Sequence, residues 1–146
     1  LPNNVHYLMC GDGQLKEQHE RLAKKLHVSD RLHFLGYRKD VIKIMKSCDI
    51  FVFPSKREGL SVALMEAMAC GLPCVVSKIR GNEDLIENEK GGYCVDLENE
   101  KFNIYINKIL ELGLSKSMSA FNYNKVSNYS IKKVNLKMRE IYERNE

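Results

Sequence analysis

The chain has 146 residues, 44% hydrophobic, 29% charged and 8% aromatic, which excludes a disordered, fibrous or membrane-embedded chain and points to one globular domain. No run approaches the roughly 18 to 20 apolar residues that a bilayer span needs, and Leu1-Pro2-Asn3-Asn4 lacks the charged start and apolar stretch of a signal peptide, so export and membrane insertion are unsupported. The net charge of +4 is carried by the tail: residues 1–100 hold 14 Lys and Arg against 15 Asp and Glu, residues 101–146 hold 9 against 4.

Val5 to Cys10 is an apolar run closed by Gly11-Asp12-Gly13, after which Gln14 to Leu26 places Leu15, Leu22 and Leu26 among charges at helical spacing. This predicts strand, tight turn, helix. Arg31 to Gly36 predicts a second strand, and Asp40 is positioned to cap a short helix carrying Val41, Ile42, Ile44 and Met45. Asp49 to Ser55 is apolar almost without alternation, as a strand covered on both faces should be. Ser61 is placed to cap the next helix, which runs through Leu64 to Met68 and stops at Gly71 with Pro73 beyond. Cys74 to Ser77 predicts a fourth strand, Gly81-Asn82 the start of a short acidic helix through Ile86, and Gly92 to Val95 a fifth strand.

From residue 101 the alternation stops. Ile104, Ile106, Ile109 and Leu110 predict a helix, residues 119–130 are rich in Ser and Asn and are expected to be loose, and a last helix follows. There Ile131, Val134, Met138 and Ile141 form one stripe, with Lys132, Lys133, Lys137 and Arg144 mostly away from it. Such a basic tail is first of all a solvated helix face, with an anionic membrane surface or nucleic acid as the alternatives. Aromatics interleaved with Lys and Arg, as nucleic-acid binding requires, are missing, since Phe121, Tyr123 and Tyr129 sit among Asn and Ser.

Strands alternating with helices over short connections imply parallel pairing with right-handed crossovers. The expected fold is α/β: a Rossmann-like open parallel sheet with helices on both faces, one domain over residues 1–146 with its core in 5–100 and a helical tail in 101–146. Ligands in this architecture sit at the carboxyl ends of the strands. Three loops are expected to converge there: Gly11-Asp12-Gly13, Gly36-Tyr37-Arg38 and Ser55 to Ser61.

The third loop carries most of the chemistry. The N–H groups of Leu60, Ser61 and Val62, at a helix start, suit a phosphate. Glu66 lies about 7 to 8 Å further along the axis by helix rise, and Glu58 stands at the mouth. A carboxylate offers a fork of lone pairs to vicinal hydroxyls, so an anion site between two carboxylates suits a nucleotide-sugar. Glu66, written within Ala63 to Ala69, would be costly as a charge without a partner. Gly11-Asp12-Gly13 lacks the third glycine of a dinucleotide fingerprint, which disfavours a dehydrogenase. The four histidines show no triad or metal spacing. The five cysteines, odd in number and scattered, suit a reducing compartment, and Cys70 with Cys74 has no second pair to complete a zinc set.

The stretch from Leu8 to Val95 resembles the C-terminal, donor-binding half of GT-B-fold retaining glycosyltransferases of family four. Glu58-Gly59-Leu60-Ser61-Val62-Ala63-Leu64-Met65-Glu66 reproduces the family's two glutamates separated by seven residues, and Ala67-Met68-Ala69-Cys70-Gly71-Leu72-Pro73 its following run. Gly11-Asp12-Gly13, Phe34-Leu35-Gly36 and Asp49 to Ser55 fall in the family's order. Ser61 stands where many members carry a second glycine.

The resemblance implies that Glu58 bonds the donor sugar's hydroxyls and serves catalysis, that Glu66 bonds the ribose hydroxyls, and that the amides of Gly59, Leu60, Ser61 and Val62 face the diphosphate. Tyr37 and Arg38 would meet the nucleobase, and Gly11 and Gly13 would line the cleft. It implies a UDP- or GDP-linked donor, no metal or other cofactor, and a saccharide or lipid-linked acceptor held by an N-terminal half. The chain begins just before what resembles the family's second strand, without the preceding Gly-Arg segment and Lys that clamp the diphosphate, so it reads as a fragment expected to be inactive alone. Cytoplasmic polysaccharide assembly, with peripheral contact at the inner face of the membrane, is the expected setting. The alternative is a non-catalytic GT-B-like nucleotide-binding or interaction module.

Overall fold

A computed structural model describes residues 1–98 and 101–143. The chain forms two compact units, Leu1–Lys43 and Ile44–Glu146. In the first, β1 (Tyr7–Cys10), α1 (Lys16–Lys25) and β2 (Leu32–Gly36) follow the predicted order, and the unit boundary falls within α2 (Val41–Met45). β1 and β2 pair in parallel, Tyr7 opposite Leu32 and Met9 opposite Phe34, with a register shift that sets Cys10 opposite Gly36. Ala23 on α1 is the only fully buried residue of this unit among the described residues.

The second unit holds β3 (Phe51–Phe53), α3 (Val62–Ala69), β4 (Cys74–Ser77), α4 (Arg80–Leu85) and β5 (Gly92–Val95), followed by α5 (Phe102–Glu111), α6 (Ser115–Val126), a 3-10 turn (Ser127–Tyr129) and α7 (Ile131–Glu143). Its parallel sheet has the order β3-β4-β5. The central strand β4 is buried at every residue, and its side chains divide between two cores. Cys74 and Val76 pack with Leu64, Ala67 and Met68 of α3 and Leu85 of α4. Val75 packs with Tyr93 and Val95 of β5, Ile106 and Ile109 of α5 and Met118 of α6. Period-two alternation therefore puts helices on both faces of one sheet, and the expected α/β class is what the chain adopts. The extended apolar reading of Asp49 to Ser55 shortens to Phe51–Phe53, whose partners Cys74 to Val76 set its length.

α3 stops as its sequence predicts. Gly71, at φ +74°, donates to Met68 O, and Leu72 donates to Ala67 O at 3.0 Å, the paired bonds of a Schellman cap. Its left-handed backbone suits glycine, and Pro73 then opens the way into β4.

Residues 119–130 depart from expectation. They are not loose but helical to Val126 and close with the 3-10 turn. The reason is Asn122, fully buried, whose amide nitrogen donates to Leu72 O at 2.7 Å and to Gly91 O at 2.6 Å. Two fixed carbonyls from the flanks of β4 and β5 thus overrule the poor helix propensity of a Ser/Asn-rich segment. Asp40 departs as well: its carboxylate is held by Arg38 and not by an amide of α2. The apolar stripe of α7 exists as written but buries no residue, with Ile131, Val134, Met138 and Ile141 between 44% and 81% exposed. Arg144, expected on its polar side, lies outside the described residues.

None of the five cysteines forms a disulfide among the described residues. Burial pushes the Cys74 thiol up, and that of Cys94 to about 11, so both stay protonated near neutrality.

Asn122→Ala removes two hydrogen bonds to buried carbonyls and should lower the unfolding free energy by about 2 kcal/mol. Urea denaturation measures this, and a loss below about 0.5 kcal/mol would contradict the bracing role given to the side chain.

Candidate functional site

After Phe53 the chain passes through residues 54–60 into α3. Ser61 is the N-cap, at φ −74° and ψ 117°, and its hydroxyl accepts from Leu64 N at 3.3 Å. The cap satisfies the third helical amide. The amides of Leu60, Ser61 and Val62 have no acceptor among the described residues, so they stand as free donors at the positive end of the helix dipole.

α3 has two sides. Leu64, Ala67 and Met68 face the core, whereas Val62, Glu66 and Ala69, at i, i+4 and i+7, share the other side. Glu66 is half-buried there, and no hydrogen bond or ion pair holds its carboxylate among the described residues. The apolar letters around it belong mostly to the opposite side, so the charge is cheaper to keep than the sequence suggests. It remains available to an external donor. Glu58 is exposed at the mouth of the same loop, with Oε1 accepting from Ser55 Oγ at 2.7 Å. Glu58, Gly59, Leu60, Ser61, Val62 and Glu66 therefore belong to one continuous turn and helix, as predicted from their spacing.

A buried polar chain lies behind this loop. Asn82 on α4 is fully buried and donates from Nδ2 to Ser77 O at 2.9 Å and to Ser77 Oγ at 3.2 Å. Ser77, fully buried at the end of β4, donates its hydroxyl to Ser55 O. A Cβ added at Gly81, beside Asn82, would overlap Gly59 O and stand 2.9 Å from Glu58 O. Only glycine lets α4 approach the loop this closely. In the sequence Gly81 and Asn82 read only as a helix start. The available signal is the pair Ser55 and Ser77, two small polar residues where the apolar runs of β3 and β4 end.

In the Leu1–Lys43 unit the two glycine-containing loops meet. Gly11 N donates to Gly36 O at 2.8 Å, and Tyr37 N donates to Asp12 Oδ2 at 3.0 Å. Asp12, passed over in the sequence, is what ties Tyr37 to the first loop. The Tyr37 ring is 74% exposed. Arg38 grips Asp40 through Nε and Nη2, each at 2.8 Å, which raises the pKa of Arg38 and holds the Asp40 carboxyl below the usual range. Gly13 is followed by the first turn of α1, Lys16 N donating to its carbonyl at 3.1 Å.

His6 and His33 also come together, Nδ1 to Nε2 at 3.0 Å with stacked rings. Parallel pairing makes neighbours of residues 27 apart, which spacing in the sequence concealed. No group of three or more His, Cys, Asp or Glu is placed to hold a metal among the described residues.

The sequence profile of the family described as glycosyl transferases group 1 matches residues 1–127. Among curated proteins, the Escherichia coli UDP-Gal:alpha-D-GlcNAc-diphosphoundecaprenol alpha-1,3-galactosyltransferase is 34% identical over 125 residues, 85% of this chain and 32% of that protein. A Campylobacter jejuni N,N'-diacetylbacillosaminyl-diphospho-undecaprenol alpha-1,3-N-acetylgalactosaminyltransferase is 41% identical over 73 residues, 50% of this chain and 19% of its own. Among solved structures, Anabaena HepE in complex with UDP superposes with a TM-score of 0.83 at 26% identity, covering 97% of this chain and 42% of HepE. The chain thus spans a third or less of these two curated relatives.

Gly81→Ala should displace the backbone of Glu58 and Gly59 and destabilise the chain by about 1 to 3 kcal/mol, the usual cost of overpacking. Amide resonances of residues 58–60 and the thermal midpoint report both effects. Unchanged resonances would contradict the close approach.

Proposed function

The chain belongs to the group 1 glycosyltransferases, and on that premise we propose that it is the donor-binding half of a retaining enzyme that passes a hexosyl group from a nucleotide-sugar to a saccharide or lipid-linked acceptor. The observation that carries this reading is the α3 turn, where free amides lie between a carboxylate at the loop mouth and a second one on the solvent side of the helix. That HepE, a relative in fold and sequence, was solved with UDP and with UDP-glucose supports it.

On this reading Glu58 accepts from the sugar's hydroxyls and Glu66 from those of the ribose, while the amides of Gly59, Leu60, Ser61 and Val62 receive the diphosphate. The Leu1–Lys43 unit carries Tyr37 and Arg38, which the family resemblance assigns to the nucleobase, and Gly11 and Gly13, which it assigns to the cleft. The bond from the anomeric carbon to the diphosphate oxygen breaks, the acceptor oxygen bonds the same carbon with configuration retained, and the acceptor's hydroxyl proton passes to the departing diphosphate. Charge gathers on the departing diphosphate, where preoriented amides and the helix dipole stabilise it without reorganising. Positioning supplies the remainder. The family resemblance argues for a UDP- or GDP-linked donor and for chemistry without a resident metal or other cofactor. Because the chain spans only part of its relatives, it is expected to bind donor without turning it over.

The relatives whose names specify undecaprenol-linked acceptors support a lipid-linked acceptor, and the proposed setting is bacterial cell-surface polysaccharide synthesis, such as capsule assembly, on the cytoplasmic side at the inner face of the membrane. α7 supports peripheral contact there, since its exposed apolar stripe is accompanied by Lys132, Lys133, Lys137 and Arg139. Among the described residues no helix is long and apolar enough to cross a membrane. Co-sedimentation with phosphatidylglycerol vesicles that is lost on replacing Lys132 and Lys133 by Glu would support this contact; equal sedimentation of both proteins would count against it.

Calorimetric titration with UDP, GDP, ADP and UDP-sugars tests the main proposal. Saturable binding of one nucleotide, weakened at least about tenfold by Glu66→Ala as hydrogen bonds to a charged group are lost, is the expected result. A folded chain that binds none of them would leave the non-catalytic module as the better description.

A further inference from the structure

We propose that Asn82 and Ser77 are positioning residues for Glu58, acting through the carbonyl and hydroxyl of Ser55. The proposal rests on Glu58 being the carboxylate that meets the donor sugar, and goes beyond it by assigning the groups that aim that carboxylate.

Ser77 has one hydroxyl proton. Asn82 Nδ2 donates to both Ser77 O and Ser77 Oγ, at 2.9 and 3.2 Å. The second bond occupies a lone pair of Oγ, so the proton is directed to the remaining acceptors, Ser55 O and, at 3.5 Å, Phe53 O. The last carbonyls on β3's side are thus drawn onto the end of β4. Fixing the Ser55 backbone fixes its side chain, whose hydroxyl donates to Glu58 Oε1 at 2.7 Å and lies 3.2 Å from Arg57 O. Gly81 abuts the carbonyls of Glu58 and Gly59. The loop is therefore held at both sides of Glu58, by hydrogen bonds at Ser55 and by close packing at Gly59.

Asn82 is fully buried, yet its Oδ1 has no hydrogen-bond partner among the described residues. An apolar side chain would avoid burying that oxygen, and what the amide alone provides is donation to Ser77. Exposed loops that carry a reacting or recognising carboxylate need such backing, because a displacement of about 1 Å suffices to lose a productive geometry.

The test uses the 146-residue chain in two arms. Without ligand, Ser77→Ala and Asn82→Asp should shift the amide resonances of Glu58 and Gly59 while leaving Tyr93 and Ile109 in place, and Ser77→Thr, which keeps the hydroxyl, should restore them. With ligand, the wild-type chain should bind UDP-GlcNAc or UDP-glucose more tightly than UDP, and both variants should lose that preference, by about tenfold, while retaining affinity for UDP. Unshifted Glu58 and Gly59 resonances overturn the proposal whatever the chain binds. So does an equal fall in affinity for UDP and UDP-sugar, or a Ser77→Thr chain that shifts the loop as far as Ser77→Ala. A wild-type chain with no preference for the sugar refutes the role given to Glu58, and the ligand-free arm still decides whether Ser77 and Asn82 hold the loop.

Discussion

A parallel strand buried on both faces has to be covered by helices on each side of its sheet, and the Ile44–Glu146 unit is organised by that constraint. Cys74 to Val76 alternate between the core under α3 and α4 and the core under α5 and α6. At roughly 1.5 to 3 kcal/mol for each fully buried large apolar side chain, Leu64, Met68, Leu85, Ile109 and Met118 secure both layers. Moving the strand by one residue would exchange its faces. Polar groups take over at the strand ends: Ser77 and Ser55 stand where the apolar runs stop, and the loop that carries Glu58 and leads into α3 begins at Ser55. Burial thus decides where the chemistry can be.

The loop and α3 then follow from local rules. Ser61 supplies the cap, leaving the preceding amides free, and the helical repeat separates core residues from Glu66. Gly81 brings α4 against Gly59. The two carboxylates hold different environments, Glu58 on a hydroxyl donor at the mouth and Glu66 without a partner among the described residues. That difference is suited to two separate sets of hydroxyls.

Much of this was legible in the residues. Ser61 as cap, Gly71 as stop and the strands Cys74–Ser77 and Gly92–Val95 were predicted where they occur, because each depends on neighbours within a few positions. The α6 helix was missed because its formation is decided by Leu72 and Gly91, whose carbonyls take the Asn122 amide from 50 and 31 residues away. The same holds for the His6–His33 contact, for Asp12 on Tyr37 and for Ser77 on Ser55. Composition even misled at Glu66, where apolar letters on two sides of a helix read as one apolar environment. Short-range chemistry is visible in sequence, whereas long-range hydrogen bonds through single polar side chains are not.

The central claim is that one helix start binds the donor between two carboxylates. Isotope-filtered NOE measurements on the chain with UDP-glucose would test it most directly. The account predicts contacts from the ribose protons to the Glu66 side chain and from the glucose protons to Glu58, with residues 59–62 showing the largest amide shifts on binding. Contacts confined to other surfaces, with those amides unmoved, would contradict it.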